Sequence, residues 1–269
     1  MAFSIVTWNI NSVRLRLPIV LELLETWQPD VLCLQEIKCP NDQFPSAAFK
    51  KAGYEHLAVH GQKGYHGVAT ISRSAFTSEP EPMSFCDSGH TRHIATRHKI
   101  PGVDGTALLH NFYVPAGGDE ANPDINPKFK HKLEFLNAML EAFTGNLAHE
   151  KNIVVGDLNI APSEHDVWSH KQLLKVVSHT PIEVDLLNKL RDDAAFTDLV
   201  RQHFPEPEKL FSWWSYRSRD WAVSDRGRRL DHIWSHADIA AQLSGVDIMR
   251  DARGWLKPSD HVPMRAVFG

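Results

Sequence analysis

This sequence predicts an α/β fold in which two sheets pack face to face and helices cover them. Three observations lead there. Short apolar runs of strand character recur along the 269 residues, each bounded by Gly, Pro, Asn or other polar residues. Helical periodicity appears only between those runs. No low-complexity linker, short-period repeat or credible internal boundary interrupts the chain, so residues 1–269 are expected to form one domain with a sizeable core.

The elements follow in order. Residues 3–8 form an apolar strand that runs into Asn9-Ile10-Asn11. Leu17, Val20, Leu21, Leu24 and Trp27 hold i, i+3, i+4 spacing, which predicts a helix ending before Pro29. Residues 31–34 run into Gln35-Glu36, residues 68–71 follow Tyr65-His66-Gly67, and residues 107–113 stop at Pro115. Phe129, Leu133, Leu136, Leu140 and Phe143 predict a second helix, with Asn126 as N-cap and Pro127 at its first position. Residues 153–155 end in Gly156-Asp157-Leu158-Asn159. Val184, Leu186, Leu187 and Leu190 mark a third helix, and residues 230–234 and 262–268 complete the strands.

Charge and cysteine usage narrow the function classes. Lys and Arg total 29 against 33 Asp and Glu, a net charge of −4, which excludes a nonspecific nucleic-acid coat protein. A nucleic-acid partner therefore needs a local basic surface on an acidic body. Cys33, Cys39 and Cys86 are too few and too irregularly spaced for a disulfide framework or a zinc site, and Cys33 reads as a small core residue. Without a basic leader or an apolar run of membrane-spanning length, the expected setting is a reducing, soluble compartment, bacterial-type cytoplasm or its equivalent.

Polar residues at strand ends are the candidates for chemistry, because a rigid scaffold presents them to a cleft. Asp157 and Asn159 follow a buried-type strand, two residues apart and so on one side. A phosphodiester hydrolase needs a carboxylate to orient or deprotonate water, and donors for the phosphoryl oxygens. An Asx turn closing a hairpin is the competing reading. Glu36 ends another apolar strand and suits hard Mg2+, with Asn9 and Asn11 beside it; a solvated Glu–Lys neighbour pair competes. His261 follows Asp260 near the C-terminus, and Asp231, from another strand, is a candidate to orient it. His232 faces away from Asp231 and reads as packing or surface. Tyr113 can donate to a phosphate oxygen, although edge packing beside Pro115 explains it as simply.

Taken together and in order, these segments resemble the exonuclease III branch of the endonuclease/exonuclease/phosphatase superfamily. The resemblance spans nearly the whole chain: Thr7-Trp8-Asn9, Leu34-Gln35-Glu36, His66-Gly67-Val68-Ala69, residues 111–115, Gly156-Asp157-Leu158-Asn159-Ile160-Ala161-Pro162, Leu230-Asp231 and Ser259-Asp260-His261. It implies a four-layer α/β/β/α sandwich of two mostly antiparallel sheets flanked by helices. It also implies a Mg2+ site, open to Mn2+, with Glu36 as main ligand, Asn9 near it and Asp260 in the same region. Asp157 would position or activate water, Asn159 and Tyr113 would hold the phosphate, and His261, oriented by Asp231, would bond that phosphate or move a proton. The family leaves open whether Asp157 or His261 is the base. Two departures stand out: Ser12 where Gly is common, and Ile37 where Thr is usual.

The same superfamily hydrolyses lipid head groups and inositol phosphates, so the substrate must be argued separately. Between residues 209 and 233, Lys209, Arg217, Arg219, Arg226, Arg228 and Arg229 outnumber Asp220, Asp225 and Asp231, with Trp213, Trp214 and Tyr216 interleaved. That mixture suits a surface gripping phosphates and packing on an exposed sugar or base. The family places the aromatic matching Trp213 in the pocket for an abasic sugar, which flips out cheaply. Trp213, Arg217, Asn11 and Arg92 are thus the candidate DNA contacts, and one of the adjacent tryptophans is expected to be core. The expected partner is double-stranded DNA with abasic sites or damaged 3′ ends, met by a monomer away from membranes. The rivals are a lipid or inositol phosphodiesterase and a nuclease-like fold that only binds. His90, His93 and His98 hint at a metal cluster, against which scattered histidines on a solvated strand are the simpler reading.

Overall fold

The computed structural model describes residues 2–269. One sheet contains β1 (Phe3–Asn9), β2 (Val31–Gln35), β3 (His56–His60), β4 (Val68–Ser72), β10 (Leu243–Ile248) and β11 (Met264–Phe268), in the order β10-β11-β1-β2-β4-β3. The other contains β5 (His93–His98), β6 (Ala107–Tyr113), β7 (Asn152–Asp157), β8 (Thr197–Asp198) and β9 (Asp231–Ser235), in the order β5-β6-β7-β9-β8. Each sheet has one parallel pair, β1–β2 and β6–β7, and is otherwise antiparallel. The helices that bear on the site are α1 (Val13–Trp27), α2 (Ser46–Lys51), α3 (Pro127–Thr144), α4 (His170–Leu173), α5 (Pro181–Asp193) and α6 (Leu199–His203).

Strand alternation builds the layers. Ile5, Val31, Cys33, Leu109, Val155 and Ile233 pack between the sheets. Their neighbours Val6, Leu32 and Leu34 turn outward onto Val20, Leu23 and Leu24 of α1. Leu108, Phe112 and Val154 turn outward onto Leu136 and Met139 of α3 and Leu187 and Leu190 of α5. The result is the α/β/β/α sandwich, and among the described residues no helix is long and apolar enough to cross a membrane. Asn126 caps α3 as its sequence predicts, its side chain accepting from Lys128 N.

One sequence expectation fails here. The strand carrying His93 and His98 is not solvated: both are buried, and His93 Nε2 shares a 3.0 Å hydrogen bond with His110 Nδ1. Burial lowers His98, His110 and His232 to about 4. An unfolded histidine titrates near 6.5, so below that pH the unfolded chain binds more protons and stability falls between about pH 6.5 and 4. The expected loss is on the order of 1–3 kcal/mol per histidine by pH 4. Asp157, pushed up to about 7 by burial, works in the opposite direction but alone does not offset three imidazoles. A urea midpoint unchanged between pH 7 and pH 5 would contradict this.

Candidate active site

The polar strand ends converge on one side of the sandwich, around an open cleft of about 730 Å³. Gly156 makes the approach of β7 to β6 possible: it has φ +135°, and a Cβ there would sit 2.0 Å from the Phe112 carbonyl oxygen. Just beyond, Asn159 has φ +55°, and Glu36 and Asn11 at the other strand ends have φ +50° and +48°. Three polar residues held in the left-handed region at one cleft is the backbone strain expected of a functional site. Ser12 keeps the glycine-like turn at φ +86°. Ile37 is fully buried and packs into the outer core, so nothing from that position supports the Glu36 carboxylate.

Asp157, fully buried, is the hub. Its Oδ1 accepts from Asn159 N at 2.9 Å, and its Oδ2 accepts from Asn9 Nδ2 at 2.8 Å and Asn159 Nδ2 at 3.1 Å. His261 Nε2 faces that same oxygen at 3.6 Å, and His261 Nδ1 lies 2.8 Å from Asp231 Oδ2. Ser212 Oγ donates to Asp231 Oδ2 at 2.6 Å, which fixes the orienting carboxylate. The strap bearing His261 is tied to β1 by Trp8 Nε1, which donates to the His261 carbonyl, and by Ser259 Oγ, which donates to the Asn9 carbonyl.

These contacts set the protonation states. Burial pushes Asp157 up to about 7 against the opposing His261 charge. Burial alone would lower His261, but the Asp231 and Asp157 carboxylates outweigh it and raise it to about 10. The Tyr113 hydroxyl is raised well above its usual range by burial and by the Glu36 and Asp157 charges, so it is a donor.

Each predicted residue now has a place. Glu36, Tyr113, Asp157, Asn159, Trp213, Arg217, Asp260 and His261 line the cleft. Asp231 lies behind His261, fully buried. Asn9 presents its amide nitrogen to Asp157 and, at 2.9 Å, to Glu36 Oε1, so it bridges two carboxylates. The Asp260 oxygens accept from Asn11 Nδ2 at 3.1 Å and Trp213 Nε1 at 3.0 Å. Asn11 is thereby a support for Asp260. Arg92 is 7% exposed, with its guanidinium 4.7 Å from the Tyr113 ring centroid and donating to the Tyr113 carbonyl, so it braces the tyrosine instead of reaching out to DNA. The Glu–Lys neighbour pair is present: Lys38 Nζ lies 2.8 Å from the other Glu36 oxygen. Trp214 is the core member of its pair, 1% exposed.

Several contributors escaped the sequence. Lys132 of α3 is fully buried, paired with Glu183 of α5, and donates to the Asn159 carbonyl at 2.8 Å, which holds the Asn159 turn. Thr180 and Glu183 form a capping box at the start of α5, which fixes the carboxylate that Lys132 meets. Asn111 accepts from Gln35 Nε2 at 2.8 Å, joining the two sheets beneath the cleft. Arg228 stacks on Trp213 and Arg226 on Trp168, with 5.2 Å and 4.8 Å to the ring centroids, and both pairs line the cleft. Trp168 carried no sequence signal of its own.

Glu36 offers carboxylate oxygens at the cleft, the donor type that a hard cation such as Mg2+ takes. Asp157, Asp231 and His261 also offer ligand atoms within 4.8 Å of one another.

Known proteins repeat this architecture. Residues 6–261 match the Endonuclease/Exonuclease/phosphatase family. An Exodeoxyribonuclease III of Haemophilus influenzae is 32% identical across 98% of both chains. The solved 3′ phosphatase NExo from Neisseria, bound to a product DNA hairpin, superposes with TM-score 0.87 at 32% identity over 99% of both chains. An AP endonuclease from Archaeoglobus fulgidus does so at 0.86 and 31%, again over 99% of both. Matched by the family model over residues 6–261 and 32% identical to an Exodeoxyribonuclease III over nearly its whole length, this chain belongs to the Endonuclease/Exonuclease/phosphatase family, in its exonuclease III branch.

Proposed function

We propose that this DNA repair nuclease is Mg2+-dependent, nicks duplex DNA on the 5′ side of abasic sites, and trims or dephosphorylates damaged 3′ ends. The observation that carries the reading is the Asp157–His261–Asp231 line at the floor of the cleft, 3.6 Å and 2.8 Å between successive partners, under a wall of paired Trp and Arg. Water adds to phosphorus as the P–O3′ bond breaks. Asp157 is the base: it is the group whose ionisation lies near neutrality, whereas His261 stays protonated and donates to a phosphoryl oxygen. Asn159 and Tyr113 are the further phosphate donors. Glu36 holds the cation, and what Mg2+, or Mn2+ in its stead, supplies there is neutralisation of charge on the phosphate and the departing 3′ oxygen. Trp213 receives the flipped sugar, and Arg217 meets the DNA backbone. The site draws on both sheets, so residues 1–269 act as one catalytic unit, working as a monomer in bacterial-type cytoplasm.

An end-labelled duplex with one abasic site, incubated with Mg2+ or EDTA, tests this. A Mg2+-dependent nick 5′ to the lesion and shortening from 3′ ends are expected; an undamaged strand under both conditions would refute the reading. Glu36→Gln is expected to raise the Mg2+ concentration for half-maximal nicking by roughly ten- to a hundredfold. If its Mg2+ dependence matched wild type, the cation would have to be held elsewhere.

A further inference from the structure

Away from the cleft floor, Cys86 and His90 sit on the segment leading into β5, and His131 lies opposite them on α3. One ligand atom from each, the thiol sulfur and two imidazole nitrogens, come within 4.8 Å of one another. All three side chains are partly exposed, so an ion can enter from solvent. The His90 Nδ1 is nonetheless buried with no hydrogen-bond partner, and His131 Nε2 has only a long 3.5 Å approach from Ser88 Oγ. Stacking accounts for the rings, since His66 lies 4.2 Å from His90. It does not account for a thiol and two imidazoles converging, one of them carrying an unsatisfied buried nitrogen.

We propose that Cys86, His90 and His131 form a binding site for a thiophilic divalent cation of the zinc type, with the fourth position open to water. Thiolate and imidazole suit Zn2+ and reject Mg2+, the reverse of the Glu36 carboxylate. Donors around tetrahedral zinc stand about 3–4 Å apart, so a small inward movement closes the site. Binding displaces the thiol proton to solvent. The nearby Arg92 charge opposes the cation, and the new thiolate together with Glu134, close to His131, offsets it. The ion would clamp the segment before β5 onto α3, behind His66, whose ring centroid is 6.3 Å from that of Tyr113 at the cleft. The cysteine spacing hid this site because both partners of Cys86 are histidines, one on a distant helix.

Cobalt(II) titration of the full chain is the test, because its readout does not depend on nuclease activity. Wild type is expected to take up one equivalent with a thiolate-to-cobalt charge-transfer band and tetrahedral visible absorption. Glu36→Gln should keep that band. Cys86→Ser should lose it and bind zinc about a hundredfold more weakly in competition with a chromophoric chelator, while nicking abasic DNA in Mg2+ at the wild-type rate. No band in wild type, a band that survives Cys86→Ser, or equal zinc affinity of the two proteins would overturn the site.

Discussion

Asp157→Asn is expected to lower kcat by about a thousandfold or more, as removal of a general base does, while leaving the affinity for abasic duplex within a few-fold of wild type. The substitution keeps size and shape but removes the buried carboxylate that faces His261 Nε2 across 3.6 Å. The amide oxygen can still accept from Asn159 N, yet its NH2 group then meets the donors of Asn9 and Asn159. Asn9 relieves part of this by flipping, at the cost of its 2.9 Å bond to Glu36. Binding survives because the tryptophan–arginine wall is untouched. Single-turnover nicking beside a filter-binding isotherm separates the two effects. If affinity fell as far as turnover, Asp157 would be a structural residue and the base would have to be sought elsewhere.

The largest loss of stability is expected from Arg229→Met, about 3–5 kcal/mol. Arg229 is 1% exposed and holds Asp166 through two bonds of 2.7 and 2.9 Å and Asp198 through one of 2.8 Å. Burial alone would raise the Asp166 carboxyl, but the Arg229 and Arg201 charges hold it below its usual range. Without the guanidinium, Asp198 loses its charge partner while still capping α6, and Asp166 keeps Arg201 as its charge partner and the bond from Ser163 N. Two carboxylates are then left under-compensated in the interior, which costs far more than the pair contributes when intact. Arg229→Lys is expected to fall between, since an ammonium cannot reproduce the two-pronged contact. Urea unfolding at pH 7 measures both; a loss under 1 kcal/mol for the methionine variant would show that water reaches the cluster.

What the sequence determined by itself was local in origin. Apolar runs broken by polar ends, the i, i+3, i+4 spacing of α1, α3 and α5, and the Asn126-Pro127 helix start are short-range patterns, so the strand-and-helix outline and the strand-end positions of Glu36, Tyr113, Asp157 and His261 could be read from them. The family resemblance added the four-layer order of the two packed sheets and the expected residue roles. Tertiary structure alone decided which groups face each other: Asn9 meets Asp157 across 148 residues of chain, with its nitrogen and not its oxygen forward. It placed Arg92 beneath Tyr113, tied Asp260 to Trp213, and set Lys132 under the Asn159 turn. It also brought Cys86, His90 and His131 together. The reason is physical: periodicity and capping depend on neighbours a few residues away, whereas the direction of a buried polar group depends on whichever distant donor or acceptor the packed layers bring within about 3 Å.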